Sequence, residues 1–198
     1  VDFLVAGLGN PGVEYERTPH NLGFLVADHL AERNGGIRIT RPECGAFVGH
    51  GRIAGREVLL AKPQTFMNLS GPSVKKLLDK YSLPPGRLIL VYDEMDLPWT
   101  ALRIKKDGSA AGHNGVKSVI GSLGTQQFPR VRIGIDMGAG SQRGVSLVLG
   151  AFRPSQAKDV EELISYSAEA VESIIAEGAE KAMTRYNRRA RGSNEEAK

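Results

Sequence analysis

Solid apolar runs along the chain alternate with segments whose apolar residues recur at helical spacing. Phe3 to Ala6 is the first run, closed by Gly7-Leu8-Gly9-Asn10-Pro11-Gly12, which predicts a buried strand and a tight loop. Leu22, Leu25, Val26, His29 and Leu30 then keep one helical face, so a helix follows His20 and stops at Gly35-Gly36. Phe47 to Ile53 and Glu57 to Ala61 flank Ala54-Gly55-Arg56 and predict a hairpin. Val74, Leu77, Leu78 and Tyr81 mark a second helix, with Ser70 or Gly71 as its cap and Pro72 in its first turn.

The most apolar run, Leu88 to Tyr92, predicts a central strand with Asp93 at its exit. Leu102 to Lys105 reads as an edge strand, Val116 to Leu123 as a helix and Val131 to Ile135 as a further strand. Val160, Leu163, Ile164, Val171, Ile174 and Ile175 give a long amphipathic helix starting near Pro154. A final helix ends among Arg185, Arg188, Arg189 and Arg191, and a polar tail over 192–198 reads as disordered. The alternation predicts one α/β domain over 1–191: a twisted mixed β-sheet flanked by helices on both faces.

On such a sheet the polar residues fall in a pattern. Asn10, His20-Asn21, Met67-Asn68, Asp93 and His113-Asn114 each follow an apolar run or open a helix. That gathers amides, an imidazole and a carboxylate at one rim, where open α/β sheets bind ligands. Such a set suits general-base hydrolysis with water as the nucleophile. His20 is the candidate base, and Asp93 is the best candidate to fix its tautomer. His113 offers a second imidazole, but nothing in the sequence favours it over His20. Asn114 reads equally as a helix cap. Glu94 and Asp96 read as turn or solvent-facing residues. Arg103, Lys105, Lys106 and Arg132 form a basic flank that suits a phosphate.

Composition narrows the classes. The 198 residues are 41% apolar and 24% charged, as in globular proteins. No apolar run approaches the roughly 20 residues that span a bilayer, and Val1 to Val5 lacks the basic start of a signal peptide. The lone Cys44 cannot form an internal disulfide, which points to a reducing, cytoplasmic setting. The net charge of +4 permits a polyanionic partner. Four histidines without paired spacing give no metal motif, and no Gly-x-Ser-x-Gly elbow is present. Gly7-x-Gly9-x-x-Gly12 matches the dinucleotide fingerprint, but Pro19 interrupts the expected helix and Asp28 lies within a helical pattern rather than at a strand end. No cofactor is expected.

Taken together, the segments resemble the bacterial-type peptidyl-tRNA hydrolases. The matching stretches are Gly7-Leu8-Gly9-Asn10-Pro11-Gly12 with Tyr15, Thr18 and His20-Asn21-x-Gly23-Phe24; Lys62-Pro63-x-Thr65-x-Met67-Asn68-x-Ser70-Gly71; Asp93-Glu94-x-Asp96-Leu97-Pro98; Gly112-His113-Asn114-Gly115; and Arg132-Ile133-Gly134-Ile135. Two departures stand out: Pro19 replaces a frequent basic residue and Ala111 a frequent loop glycine.

The resemblance implies metal-independent cleavage of the ester joining a peptide to the 3′ adenosine of tRNA. It implies His20 as base, Asp93 as its support, Asn10 as reader of the blocked amino group, and Asn68 and Asn114 as positioners of substrate and water. Tyr15, Phe66 and Met67 would line the peptide and 3′-end cleft, and Lys105 and Arg132 would take the 5′ phosphate of the acceptor stem. A monomer that touches no membrane is expected. The rival reading is a non-catalytic RNA-binding relative of the intron-splicing type.

Overall fold

The computed structural model describes residues 1–138 and 149–187. Of the Gly138 to Gly144 loop only Gly138 lies within them. Arg188, Arg189, Arg191 and the 192–198 tail lie outside.

Strands β1 (Phe3–Gly7), β2 (Arg41–Glu43), β3 (Ala46–Ile53), β4 (Arg56–Pro63), β5 (Leu88–Pro98), β6 (Leu102–Lys105) and β7 (Arg130–Asp136) form one sheet in the order β2-β3-β4-β1-β5-β7-β6. The four inner strands β4, β1, β5 and β7 are parallel, and β2, β3 and β6 add antiparallel margins. This is the mixed sheet that the sequence predicts, with Leu102–Lys105 at its edge.

Helices cover both faces, which is why β1 is wholly apolar and why β4 and β5 carry solid apolar runs at Val58–Ala61 and Leu88–Tyr92. Phe3, Val5, Leu60, Ile89 and Val91 pack towards α1 (Leu22–Arg33), α4 (Ala157–Glu177) and α5 (Ala179–Tyr186). Leu4, Ala6, Leu59, Leu88 and Leu90 pack towards α2 (Ser70–Lys80) and α3 (Asn114–Leu123). Neighbouring strand residues thus serve opposite layers.

Both chain reversals next to β1 matter for function. From β1 the chain moves out to β4 on one side and returns to β5 on the other, so the rim between β1 and β5 is a switch point of the topology. Helix α1 crosses that rim very closely: a Cβ on Gly7 would lie 2.1 Å from the Gly23 carbonyl oxygen, and one on Gly23 would lie 2.4 Å from the Val91 oxygen. Gly7 therefore serves helix-to-strand contact. Of the other fingerprint glycines, Gly9 lies under the Phe24 ring, 2.7 Å from where its Cβ would be. The dinucleotide reading of these glycines has no support here.

Two local expectations need correction, and one strand has no signal in the sequence. Asp93 is inside β5, because backbone pairing with Ile133 of β7 carries the strand past the apolar run before the register shifts between Glu94 and Pro98. Ser70 is the first residue of α2, not its cap; its hydroxyl donates back to the Met67 carbonyl at 2.9 Å. That strand is β2, where Arg41-Pro42-Glu43 is largely exposed and shows no apolar alternation.

Candidate active site

A 3-10 turn at Pro19–Asn21 leads into α1 and hangs His20 over the end of β5. Asn21 fastens that turn. Its Oδ1 accepts the Asn10 backbone N–H at 2.8 Å, and its Nδ2 donates to the Asn10 carbonyl at 2.9 Å. Asn10 then passes the constraint on, because its Oδ1 accepts the Met67 N–H at 3.0 Å. Three segments that follow or precede strands are thereby tied to one another through two amide side chains.

His20 Nδ1 lies 2.9 Å from both carboxylate oxygens of Asp93, which is only 1% exposed. Nδ1–H donates to the carboxylate, so Nε2 keeps its lone pair. Burial raises the Asp93 pKa, but the adjacent His20 and His113 imidazoles overcome it and hold the carboxyl well below the usual range. Asp93 is therefore an anion.

His113 is the group the sequence did not single out. Its Nε2 is 3.1 Å from Asp93 Oδ1, and its ring centroid is 4.9 Å from that of His20. Its Nδ1 accepts the N–H groups of Gly115 and Val116 at 3.1 and 3.3 Å, capping α3. Asn114, which read as a possible cap, is the first helical residue and is exposed. Backbone N–H groups only donate, so the hydrogen of neutral His113 is on Nε2. His20, Asp93 and His113 bring ligand-type atoms within 4.8 Å of one another. A cation there would need a lone pair on His113 Nε2, which instead carries the ring hydrogen because Nδ1 accepts the cap, so the donor set does not fit a metal.

The remaining expected residues differ in exposure. Asn68 lies in a 3-10 turn at Met67–Leu69, and both it and Asn114 are exposed with side chains tied to no described protein group. Phe66 is 65% exposed, and Tyr15 is half-buried. Met67 is buried: a Cβ on Gly115 would lie 2.5 Å from its sulfur, so Met67 forms the floor under α3 rather than an open wall. A groove of about 320 Å³ beside Asn10 is lined by residues that include Gly12, Arg17, Phe24, Phe47 and Lys62. A larger one, about 500 Å³, lies at the opposite end of the parallel strands by Phe3, Arg87 and Pro129, and carries no imidazole.

On the basic flank, Lys105 is exposed on β6. Arg132 is different. Its guanidinium donates to Glu94 at 2.6 Å, with side chains 13% and 3% exposed. Glu94 is thus buried rather than solvent-facing, because a cation on the neighbouring strand compensates it. Asp96 is exposed as expected. Ala111 has φ 48°, in the left-handed region where a glycine would be unstrained.

The peptidyl-tRNA hydrolase family model matches residues 4–195. A peptidyl-tRNA hydrolase of Solibacter usitatus is 54% identical over 194 residues, 98% of either chain. One from Koribacter versatilis is 47% identical over 187 residues, covering 94% of this chain and 92% of that one. The crystal structure of peptidyl-tRNA hydrolase from Acinetobacter baumannii superposes with a TM-score of 0.87 at 31% identity, covering 95% of both chains. A methylthioadenosine/S-adenosylhomocysteine nucleosidase of Neisseria meningitidis, 10% identical with a TM-score of 0.50, shares the fold alone.

Proposed function

Because the chain belongs to the peptidyl-tRNA hydrolase family, we propose that it hydrolyses the ester between the peptide and the 3′ adenosine of tRNA, with His20 as the base that activates water. The observation that carries this reading is the Asp93–His20 contact at 2.9 Å, which leaves Nε2 as the basic nitrogen. Water gives a proton to Nε2 and attacks the ester carbonyl. Asp93 stabilises the imidazolium that forms. The collapsing intermediate expels the 3′ oxygen of the ribose, which takes the proton back from His20. Asn68 and Asn114, both free to donate, support the oxyanion and hold the water.

Asn10 accounts for selectivity. Its Oδ1 is spent on Met67, so it faces substrate as an Nδ2 donor. A donor pairs with the carbonyl of a blocked amino group and repels a free ammonium, which only donates. Phe66 and Tyr15 border the peptide and 3′-end cleft over the Met67 floor. Lys105 takes the 5′ phosphate of the acceptor stem. Arg132 adds to the same potential with the N–H groups that Glu94 leaves unused. The 1–191 unit works as one cytoplasmic domain, as a monomer, with no cofactor and no membrane contact.

The experiment is release of N-acetylated amino acid from charged tRNA by the purified chain, without added metal. Multiple turnover supports the reading. Tight tRNA binding with no release would assign the chain to a non-catalytic RNA-binding role.

A further inference from the structure

His113 makes contacts on both of its ring nitrogens, and they do different work. On one side Nδ1 accepts two amides of the α3 N-terminus. On the other, Nε2 meets a buried carboxylate oxygen that His20 Nδ1 also approaches. Tyr92 packs edge-on against the His113 ring at 5.1 Å and fixes its plane. We propose that His113 is a positioning residue: the start of α3 locks it as the Nε2–H tautomer, and its donor to Asp93 weakens the hold of that carboxylate on the His20 imidazolium. This rests on His20 being the base.

The direction follows from charge. Asp93 shares one negative charge between two donors. Whatever His113 takes is lost to His20, so the protonated state of His20 is less favoured than it would be beside an undivided carboxylate. The other charged groups nearby do not take over this task. Glu94 and Arg132 neutralise each other at 2.6 Å, and Arg103 stands opposite Arg132 in the β6–β7 register. The helix start adds a second effect: an imidazolium at position 113 would aim an N–H at two other N–H groups and at the positive end of α3. His113 thus cannot swap roles with His20.

Two substitutions separate the duties. An Asn amide oxygen occupies the place of Nδ1, so His113→Asn keeps the cap and removes the donor. A Gln amide nitrogen reaches the place of Nε2, so His113→Gln keeps the donor and loses the cap.

The free protein is labelled with ¹⁵N-histidine and its ring nitrogens are read by NMR at pH 8; the acid limb of kcat/KM is then measured for both variants. The expected spectrum shows His113 unprotonated at Nδ1 and protonated at Nε2. The acid limb of His113→Asn should move up by about half a unit to one unit, as loss of part of one charge-assisted hydrogen bond requires, while that of His113→Gln stays near wild type despite lower thermal stability. An Nδ1-protonated His113 overturns the proposal, and so do equal shifts in the two variants. If His113→Gln does not fold, a wild-type acid limb in His113→Asn overturns it alone. The NMR result does not depend on turnover. The expected tautomer in a protein whose His20→Ala variant hydrolyses normally would refute His20 as the base instead.

Discussion

Asn21 and Asn10 exchange two hydrogen bonds, at 2.8 and 2.9 Å, and hold the turn bearing His20 against the loop that leaves β1. Asn21 is 2% exposed, so it acts on substrate only through what it positions. Asn21→Ala leaves both the N–H and the carbonyl of Asn10 without these partners. It should destabilise the protein by about 2–3 kcal/mol, from lost bonds and buried unsatisfied groups. It should also lower kcat while leaving KM for tRNA nearly unchanged. Urea unfolding and steady-state kinetics check both. A fall in KM-controlled binding alone would place Asn21 at the substrate surface instead.

Asn10→Asp tests selectivity. An aspartate can still accept from Met67, but its second oxygen accepts where Nδ2 donated. The preference for N-blocked over free aminoacyl-tRNA should fall on the order of tenfold or more. Competition between acetylated and free aminoacyl-tRNA measures it, and an unchanged ratio would remove Asn10 from discrimination.

Lys105 and Arg132 should separate. Lys105→Ala should weaken tRNA binding and reduce its salt slope by about one unit, with no change in stability. Arg132→Met leaves Glu94 buried and uncompensated, so it should also destabilise the fold by about 3 kcal/mol or more. Adding Glu94→Met should recover most of that loss. If the double variant is no more stable than Arg132→Met, the pair is not what holds β5 and β7 together there.

Much of the fold was legible because the inner strands are covered on both faces. Leu4, Leu59 and Leu90 sit in unbroken apolar runs that leave no alternative to a buried strand. His20, Asp93 and the three amides were legible as a set because each follows a run or starts a helix. What lay hidden depends on partners distant in sequence. Glu94 is buried only because Arg132, 38 residues on, meets it. Asp93 is within β5 only because β7 pairs alongside. His113 caps α3 through Nδ1, a duty usually given to Asn, Asp, Ser or Thr. No pattern marks that choice before the helix start is placed against Asp93.

Away from the site, Glu43 sets an acid limit on stability. Burial raises its pKa, but the Tyr81 hydroxyl and the Lys80 and Arg41 charges outweigh burial and lower it from 4.5 to about 2. A folded-state value below the unfolded one stabilises fully above pH about 4.5 and is lost as pH falls towards about 2. Glu43→Gln should therefore be less stable than wild type at neutral pH. That gap should narrow across this window in urea titrations. A gap independent of pH would mean that the carboxylate charge contributes nothing.

The central claim is that His20 activates water. The most direct measurement is single-turnover release of N-acetylated amino acid from saturating charged tRNA by His20→Ala, with circular dichroism on the same sample. The account predicts a native spectrum, near-normal tRNA affinity and a rate lower by about 10²- to 10⁴-fold, the usual contribution of a general base. A folded, tRNA-binding His20→Ala protein that turns over at close to the wild-type rate would contradict it.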